Sequence, residues 1–156
     1  MCIRDSIYIF LAGIAAGIKD VAIGDVVVGT KAYGYELGKE TKEGFLSRPQ
    51  AIEFSPNLIN VAKQLLRGND KQPYIVKFGP IAGGNKVIND EKGVLAIIKK
   101  HYNDTIALEM ESIGFAAAAT KTETFFLNIR GISDLALNKK DDFQAIAAQR
   151  LSLIHI

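Results

Sequence analysis

The sequence predicts an α/β domain with a largely parallel sheet between helical layers. Three observations carry that expectation. Apolar or β-branched runs alternate along the chain with segments of helical period. Glycines or acids stand just past several of the runs, where ligands bind at the carboxyl ends of strands in such sheets. Hydrophobic residues make up 48% of the 156 residues, with four prolines and no repeat, linker or low-complexity stretch, so one globular core is expected.

The first element is "IYIFLA" (7–12), a continuous apolar run that reads as a buried strand, followed by a turn-like stretch from Gly13 to Gly17. "DVVVGT" (25–30), β-branched after a Gly24-Asp25 turn, reads as a second strand. "SPNLINVAKQLLRG" (55–68) reads as a helix, with Ser55 as cap and Pro56 at the first helical position. Leu58, Ile59, Ala62, Leu65 and Leu66 share one face, and Gly68 is the stop. "YIVKFGPIA" (74–82) is a strand entering a glycine-rich loop, and "NDEKGVLAIIKKHY" (89–102) is a helix despite Gly93. "TIALE" (105–109) is a strand, "SIGFAAAAT" (112–120) a short apolar helix and "TFFLNIRGI" (124–132) a further strand; Asp142 to Arg150 begins a last helix.

The two ends can be back-translated against each other. One reading of "MCIRDS" is ATG TGT ATA AGA GAC AG, whose reverse complement encodes "LSLIHI", the last six residues. Residues 1–6 and 151–156 are therefore expected to be sequencing-adapter remnants, and 7–150 a fragment of a single domain truncated at both ends. With Arg4 set aside, the charged flank that would make Ile7 to Ile18 imitate a secretory signal is gone, and twelve residues are too few to span a bilayer as a helix. Cys2 and His155 fall in the remnants, leaving His101 as the one histidine, so disulfide scaffolds and cysteine or histidine metal sites are not expected within 7–150. Arg4 and Asp5 cancel, so the net charge stays at +2, and the basic residues are scattered, with Lys99-Lys100 and Lys139-Lys140 the densest pairs. That gives no nucleic-acid footprint.

Three constellations could carry chemistry. In an extended strand Glu109 and Glu111 would point one way and Met110 the other. The pair could mark a strand reaching solvent, with Glu111 opening a helix, or a ligand-binding pair. In "IRGISDLA", Ser133 or Asp134 could cap a turn and Arg130 could be a buried ion-pair partner; alternatively Asp134 is a partly buried acid able to donate a proton, because desolvation favours the protonated form. "AGIAAGIKD" and "GPIAGGNK" lack the spacings of nucleotide loops, though their small residues would let backbone approach a flat ligand. His101 reads as a surface or capping residue, and Tyr33 and Tyr35 as pocket lining or cover for the sheet edge.

In this order, "GDVVVGTKAYGYELGK", "GPIAGGNKVI", "ALEMES" and "IRGISDLA" resemble the nucleoside phosphorylase superfamily, nearest the 5′-methylthioadenosine/S-adenosylhomocysteine nucleosidase-like branch, over about Ile7 to Arg150. The resemblance implies a three-layer αβα sandwich around a mostly parallel, twisted mixed sheet. It implies that Glu111 accepts hydrogen bonds from the ribose 2′ and 3′ hydroxyls, with Met110 as the apolar wall and Glu109 nearby. Asp134, oriented by Ser133, would protonate or hydrogen-bond the five-membered ring of the purine. Ala82 to Ile88 would read the base edge, with Lys86 or Val87 where the family has a stacking aromatic; Gly13 and Ile14 would lie against the substrate.

Leu11 and Ile14 stand where phosphorylases hold phosphate with an arginine and a hydroxyl, which implies water as the nucleophile and hydrolysis as the reaction. The family's water-activating glutamate lies in an N-terminal strand absent from these residues, so the fragment alone is expected to be inactive. The expected protein is thus a cytoplasmic, homo-oligomeric adenine nucleosidase acting on a small purine nucleoside, with no cofactor, metal, nucleic-acid or membrane partner. The alternatives are a phosphorylase with its phosphate donors elsewhere, or a nucleoside-binding sensor fused to a signalling module.

Overall fold

The structure, a computed structural model, describes residues 7–48, 50–66, 74–85, 93–122, 124–136 and 143–152. In chain order the elements are β1 (Tyr8–Gly17), β2 (Val26–Gly34), β3 (Gly38–Thr41), β4 (Gly44–Ser47), β5 (Gln50–Glu53), α1 (Pro56–Leu65), β6 (Val76–Gly83), α2 (Val94–His101), β7 (Ala107–Glu109), α3 (Ser112–Ala119), β8 (Phe125–Leu135) and α4 (Gln144–Ser152). This is the mixed α/β class expected from the alternation of runs. The sheet runs β5-β2-β6-β7-β1-β8, and β8 also pairs with β2, so five strands close into a ring with β5 appended. β1–β8, β2–β6 and β6–β7 are parallel; β1–β7, β2–β5 and β2–β8 are antiparallel.

Alternation along each strand sorts the side chains into an interior and an exterior set. Inside the ring Ala15, Val27, Ile81, Ile106, Ala107 and Ile132 pack together with Val21. Two glycines keep that space open: a Cβ at Gly29 would come within 3.0 Å of Ile81, and one at Gly79 within 2.6 Å of Ile106. Outside, α1, α3 and α4 cover β2 and β8, where Val26, Val28, Phe54, Leu127 and Ile129 form the largest apolar cluster. A second exterior cluster joins α2, through Leu95 and Ile98, to Ala82, Leu108 and Ala16. Asp25 ties the start of the ring: its carboxylate accepts from the amides of Ala22 and Ile75, and its carbonyl accepts from Ile132.

Several local expectations change. The stretch from Gly13 to Gly17 is not a turn; it is the second half of β1, paired residue by residue with β8. Small residues suit a strand hemmed in on both sides, and backbone hydrogen bonds of the ring override the turn preference of glycine. Ser133 and Asp134 likewise lie inside β8, not beyond it. Ser55 sits at the start of α1 but does not cap it with its side chain; its Oγ accepts the Phe126 amide at 2.8 Å, fastening the helix to β8. Leu65 is exposed, so the buried face of α1 is Leu58, Ile59 and Ala62. Gly93 precedes α2 and so costs that helix nothing internally; residues 89–92 and Gly68 lie outside the described residues. The hairpin β3–β4 and the strand β5 were not expected. α4 continues through Ser152, and Leu151 packs on the main core cluster.

Ile132 is fully buried inside the ring, whereas Leu46 on the hairpin is 59% exposed. Ile132→Ala is expected to cost about 2–5 kcal/mol in chemical denaturation. Leu46→Ala should stay within about 0.5 kcal/mol of the parent. Equal losses at the two positions would mean that the ring interior is not the core.

Candidate functional site

The strand ends bring three acids and one arginine close to a short length of β1. β7 stops at Glu109, and the chain then bends so that Glu111 stands immediately before α3. Strand alternation therefore ends before the acidic pair is complete, and the two carboxylates differ in environment. The Glu109 side chain is 3% exposed and that of Glu111 57%. Met110 between them is also largely open.

Glu109 is used internally. Its carboxylate accepts from the amides of Glu111 at 3.0 Å and Ser112 at 2.9 Å, from the Ser112 hydroxyl, and from Nη2 of Arg130. Burial pushes the Glu109 carboxyl up from its ordinary value; the Arg130 guanidinium and the Ser112 and Glu111 donors pull against that rise. Arg130 enters from β8, beside Val27 of the neighbouring β2, and its side chain is 4% exposed. The same Nη2 lies 3.0 Å from Glu111, and Nη1 reaches the Ile14 carbonyl at 3.5 Å. Gly13 makes this possible: a Cβ there would overlap Nη1 of Arg130. The guanidinium is thus a hub whose buried partner is Glu109 and whose exposed partner is Glu111.

A bulge builds the second half of the site. Ala15 pairs with Ile132 and Ala16 with Asp134, so Ser133 is an extra residue on β8. Such an insertion re-aims the side chains after it. Ser133 Oγ donates to Asp134 Oδ2 at 2.9 Å and has a weaker, 3.4 Å approach to the Ala15 carbonyl. Asp134 Oδ1 is buried with no hydrogen-bond partner among the described residues.

The expected site residues fall into two groups bordering the same stretch of β1. Gly13, Ile14, Glu109 and Glu111 gather around Arg130; Ser133 and Asp134 are joined to each other next to Ala15. β6 adds its end: the Gly84 amide donates to the Glu109 carbonyl at 3.3 Å. Lys86 and Val87 lie outside the described residues. Arg130 is the member that sequence reasoning left as a plain ion-pair partner; the signal was a cation in an otherwise apolar strand. Ile14 also lines an apolar cleft of about 520 Å³ with Phe10, Ala12, Ile129, Ala148 and Leu151. Among the described residues no group of three or more histidines, cysteines, aspartates or glutamates could hold a metal ion, and no helix is long and apolar enough to cross a membrane.

A closed mixed sheet covered on its outer side by helices makes this an α/β domain, and the sequence places it in one family of such domains. Residues 5–155 match the phosphorylase superfamily, and the chain belongs to it. It is 27% identical to the 5′-methylthioadenosine/S-adenosylhomocysteine nucleosidase of Haemophilus ducreyi, over 92% of this chain and 64% of that protein. It is 33% identical to the one from Exiguobacterium, over 80% and 54% respectively. The chain therefore spans less than two thirds of the length of either relative. Among solved structures it is similar to the nucleosidase from Neisseria meningitidis in complex with methylthio-immucillin-A, with a TM-score of 0.77 and 28% identity over 94% of this chain and 66% of that one.

Arg130→Met leaves Glu109 as an uncompensated buried charge and is expected to cost about 3–5 kcal/mol. Glu111→Gln, at an exposed position, should change stability by about 0.5 kcal/mol or less. The sign of the pH effect follows from the raised carboxyl: the folded state holds the Glu109 proton more tightly than the unfolded chain. Stability should therefore fall as pH rises from the ordinary carboxylate range to the raised Glu109 value. Denaturation midpoints measured across that window should flatten in Glu109→Gln; an unchanged slope would remove Glu109 as the source.

Proposed function

We propose that the full-length protein is an adenine nucleosidase hydrolysing the N-glycosidic bond of methylthioadenosine- or adenosylhomocysteine-like nucleosides. One observation carries the reading. Of the two acids, Glu109 spends both oxygens on Arg130 and local donors, while Glu111 is oriented by Arg130 yet open to solvent. A carboxylate held in place with acceptor capacity to spare suits two adjacent hydroxyl donors, as a ribose diol presents. Met110 beside it offers an apolar surface to the sugar.

Asp134 supplies the second function. Ser133 fixes Oδ2, which leaves Oδ1 as the oxygen able to carry a proton to a ring nitrogen of the base. As the C1′–N9 bond breaks, its electron pair goes to the purine, Asp134 delivers a proton to it, and water adds to C1′ and releases a proton to solvent, from which Asp134 is reprotonated. Negative charge at Glu111 near the developing oxocarbenium ion and a proton donor at the base stabilise both fragments of the transition state. Leu11 and Ile14, apolar where a phosphate would need donors, support water over phosphate as the nucleophile. The likeness to nucleosidases that share this family supports the same choice. A cytoplasmic location and a homo-oligomeric state belong to the same proposal; the net charge of +2 supports the absence of a nucleic-acid partner.

The test is chromatography of products from the full-length protein incubated with 5′-methylthioadenosine, with and without phosphate. Free adenine and free sugar, released at the same rate in both, are expected. Asp134→Asn should slow release by about 10²- to 10⁴-fold. Phosphate-dependent turnover would make the protein a phosphorylase, and tight binding without release of base would make it a sensor.

A further inference from the structure

The glutamates on either side of Met110 are coupled twice over. Glu109 Oε2 accepts the Glu111 amide at 3.0 Å and also Nη2 of Arg130, and that same Nη2 lies 3.0 Å from Glu111 Oε2. The contacts close a ring: from the Glu111 amide to Glu109, on to the guanidinium, and back to the Glu111 carboxylate. Every side-chain torsion of Glu111 lies inside that ring. An exposed glutamate ordinarily keeps much of its rotamer freedom, and a lone surface ion pair does little to remove it. Here the restraint comes from the interior. The Glu109 side chain is buried, and its other oxygen is held by the Ser112 amide at 2.9 Å and by the Ser112 hydroxyl. The carboxylate that faces solvent is thus anchored by one that does not.

We propose that Glu109 is a positioning residue for sugar recognition, holding the Glu111 carboxylate where a ribose diol is received without touching the sugar itself. The inference rests on the purine reading above, which gives Glu111 the diol. An acceptor already fixed in place spares the complex the cost of ordering it, so the gain falls only on ligands that carry the sugar. A purely structural role for Glu109 would be blind to that difference. Reach decides the outcome of substitution. An aspartate at 109 keeps the charge but is one methylene too short to span both the Glu111 amide and Nη2, so the ring opens. A glutamine keeps the reach: its carbonyl oxygen takes the place of Oε2, and its amino group turns toward Ser112, whose hydroxyl can accept.

The experiment is calorimetric titration of adenine and of formycin A, an adenosine analogue whose glycosidic C–C bond water cannot cleave. Both are titrated into the full-length protein and its Glu109→Asp, Glu109→Gln, Glu111→Gln and combined Glu109→Asp, Glu111→Gln variants. The parent should prefer formycin A to adenine, and Glu109→Asp should erode that preference about tenfold while adenine affinity stays within about twofold. Glu109→Gln should keep the preference within about threefold of the parent. The combined variant should lose no more than Glu111→Gln alone, because both changes disable one clamp. If Glu109→Asp does not fold, a crystal structure of the parent with formycin A decides. Glu111 on the 2′ and 3′ hydroxyls with its ring to Glu109 closed bears the role out, and Glu111 turned away from Arg130 overturns it. Adenine and formycin A weakened equally in Glu109→Asp, a preference left intact there, or additive losses in the combined variant would overturn the positioning role and leave the purine reading standing. A parent that binds neither ligand, or binds formycin A no better than adenine, would overturn the diol clamp of that reading and the positioning role with it.

Discussion

A permanent positive charge carried into the interior of a closed sheet sets the terms for the rest of this structure. Arg130 lies on a strand bonded on both sides, to β1 and to β2, so its guanidinium cannot swing out to water without opening the ring. Buried cations persist only when paired and hydrogen-bonded. That need explains Glu109 at the end of β7, the tight turn that brings the Ser112 and Glu111 amides onto the same carboxylate, and a glycine at position 13 on the facing strand. Glu111 takes the remaining capacity of Nη2 from the solvent side, so a buried ion pair and a solvent-open one share one guanidinium.

Much of the fold was legible because the buried elements write their burial into composition. β1, β2, β6 and β8 are apolar runs, and α1 shows its Pro56 start and its Leu58, Ile59, Ala62 face in plain sequence. The elements that went unread are those that bury little. "GKET", "GFLS" and "QAIE" form β3, β4 and β5 from short, mostly solvent-facing stretches with no apolar period to reveal them. Closure of the sheet was also hidden, since the pairing of Val26–Val28 with Ile129–Gly131 is a fact about distant residues and leaves no local pattern.

The candidate site was legible as residues and illegible as geometry. "ALEMES" and "IRGISDLA" pointed to Glu109, Glu111, Ser133 and Asp134, but alternation alone put the two glutamates in like environments, and they are opposite in exposure. The cause is the end of β7 at Glu109, set by the start of α3 three residues later. In the same way the place of Asp134 depends on one uncounted residue, Ser133, bulged out of the pairing with β1. A bulge is a mismatch between two strand lengths, and neither strand records it by itself.

The pairing of β1 with β8 also governs when this domain can become itself. The Arg130 bond to Ile14 joins residues 116 positions apart, and the strands around it are among the first and last elements of the described chain. Contacts of such long sequence separation form late, after most of the entropy of ordering the intervening chain has been lost. As the polypeptide leaves the ribosome, β1 is made with its long edge apolar and unmatched, and every strand between it and β8 can be in place before that edge is covered. From the making of β1 to the making of β8 the nascent chain thus carries an apolar strand edge without its parallel partner, a surface of the kind that invites association until the ring closes.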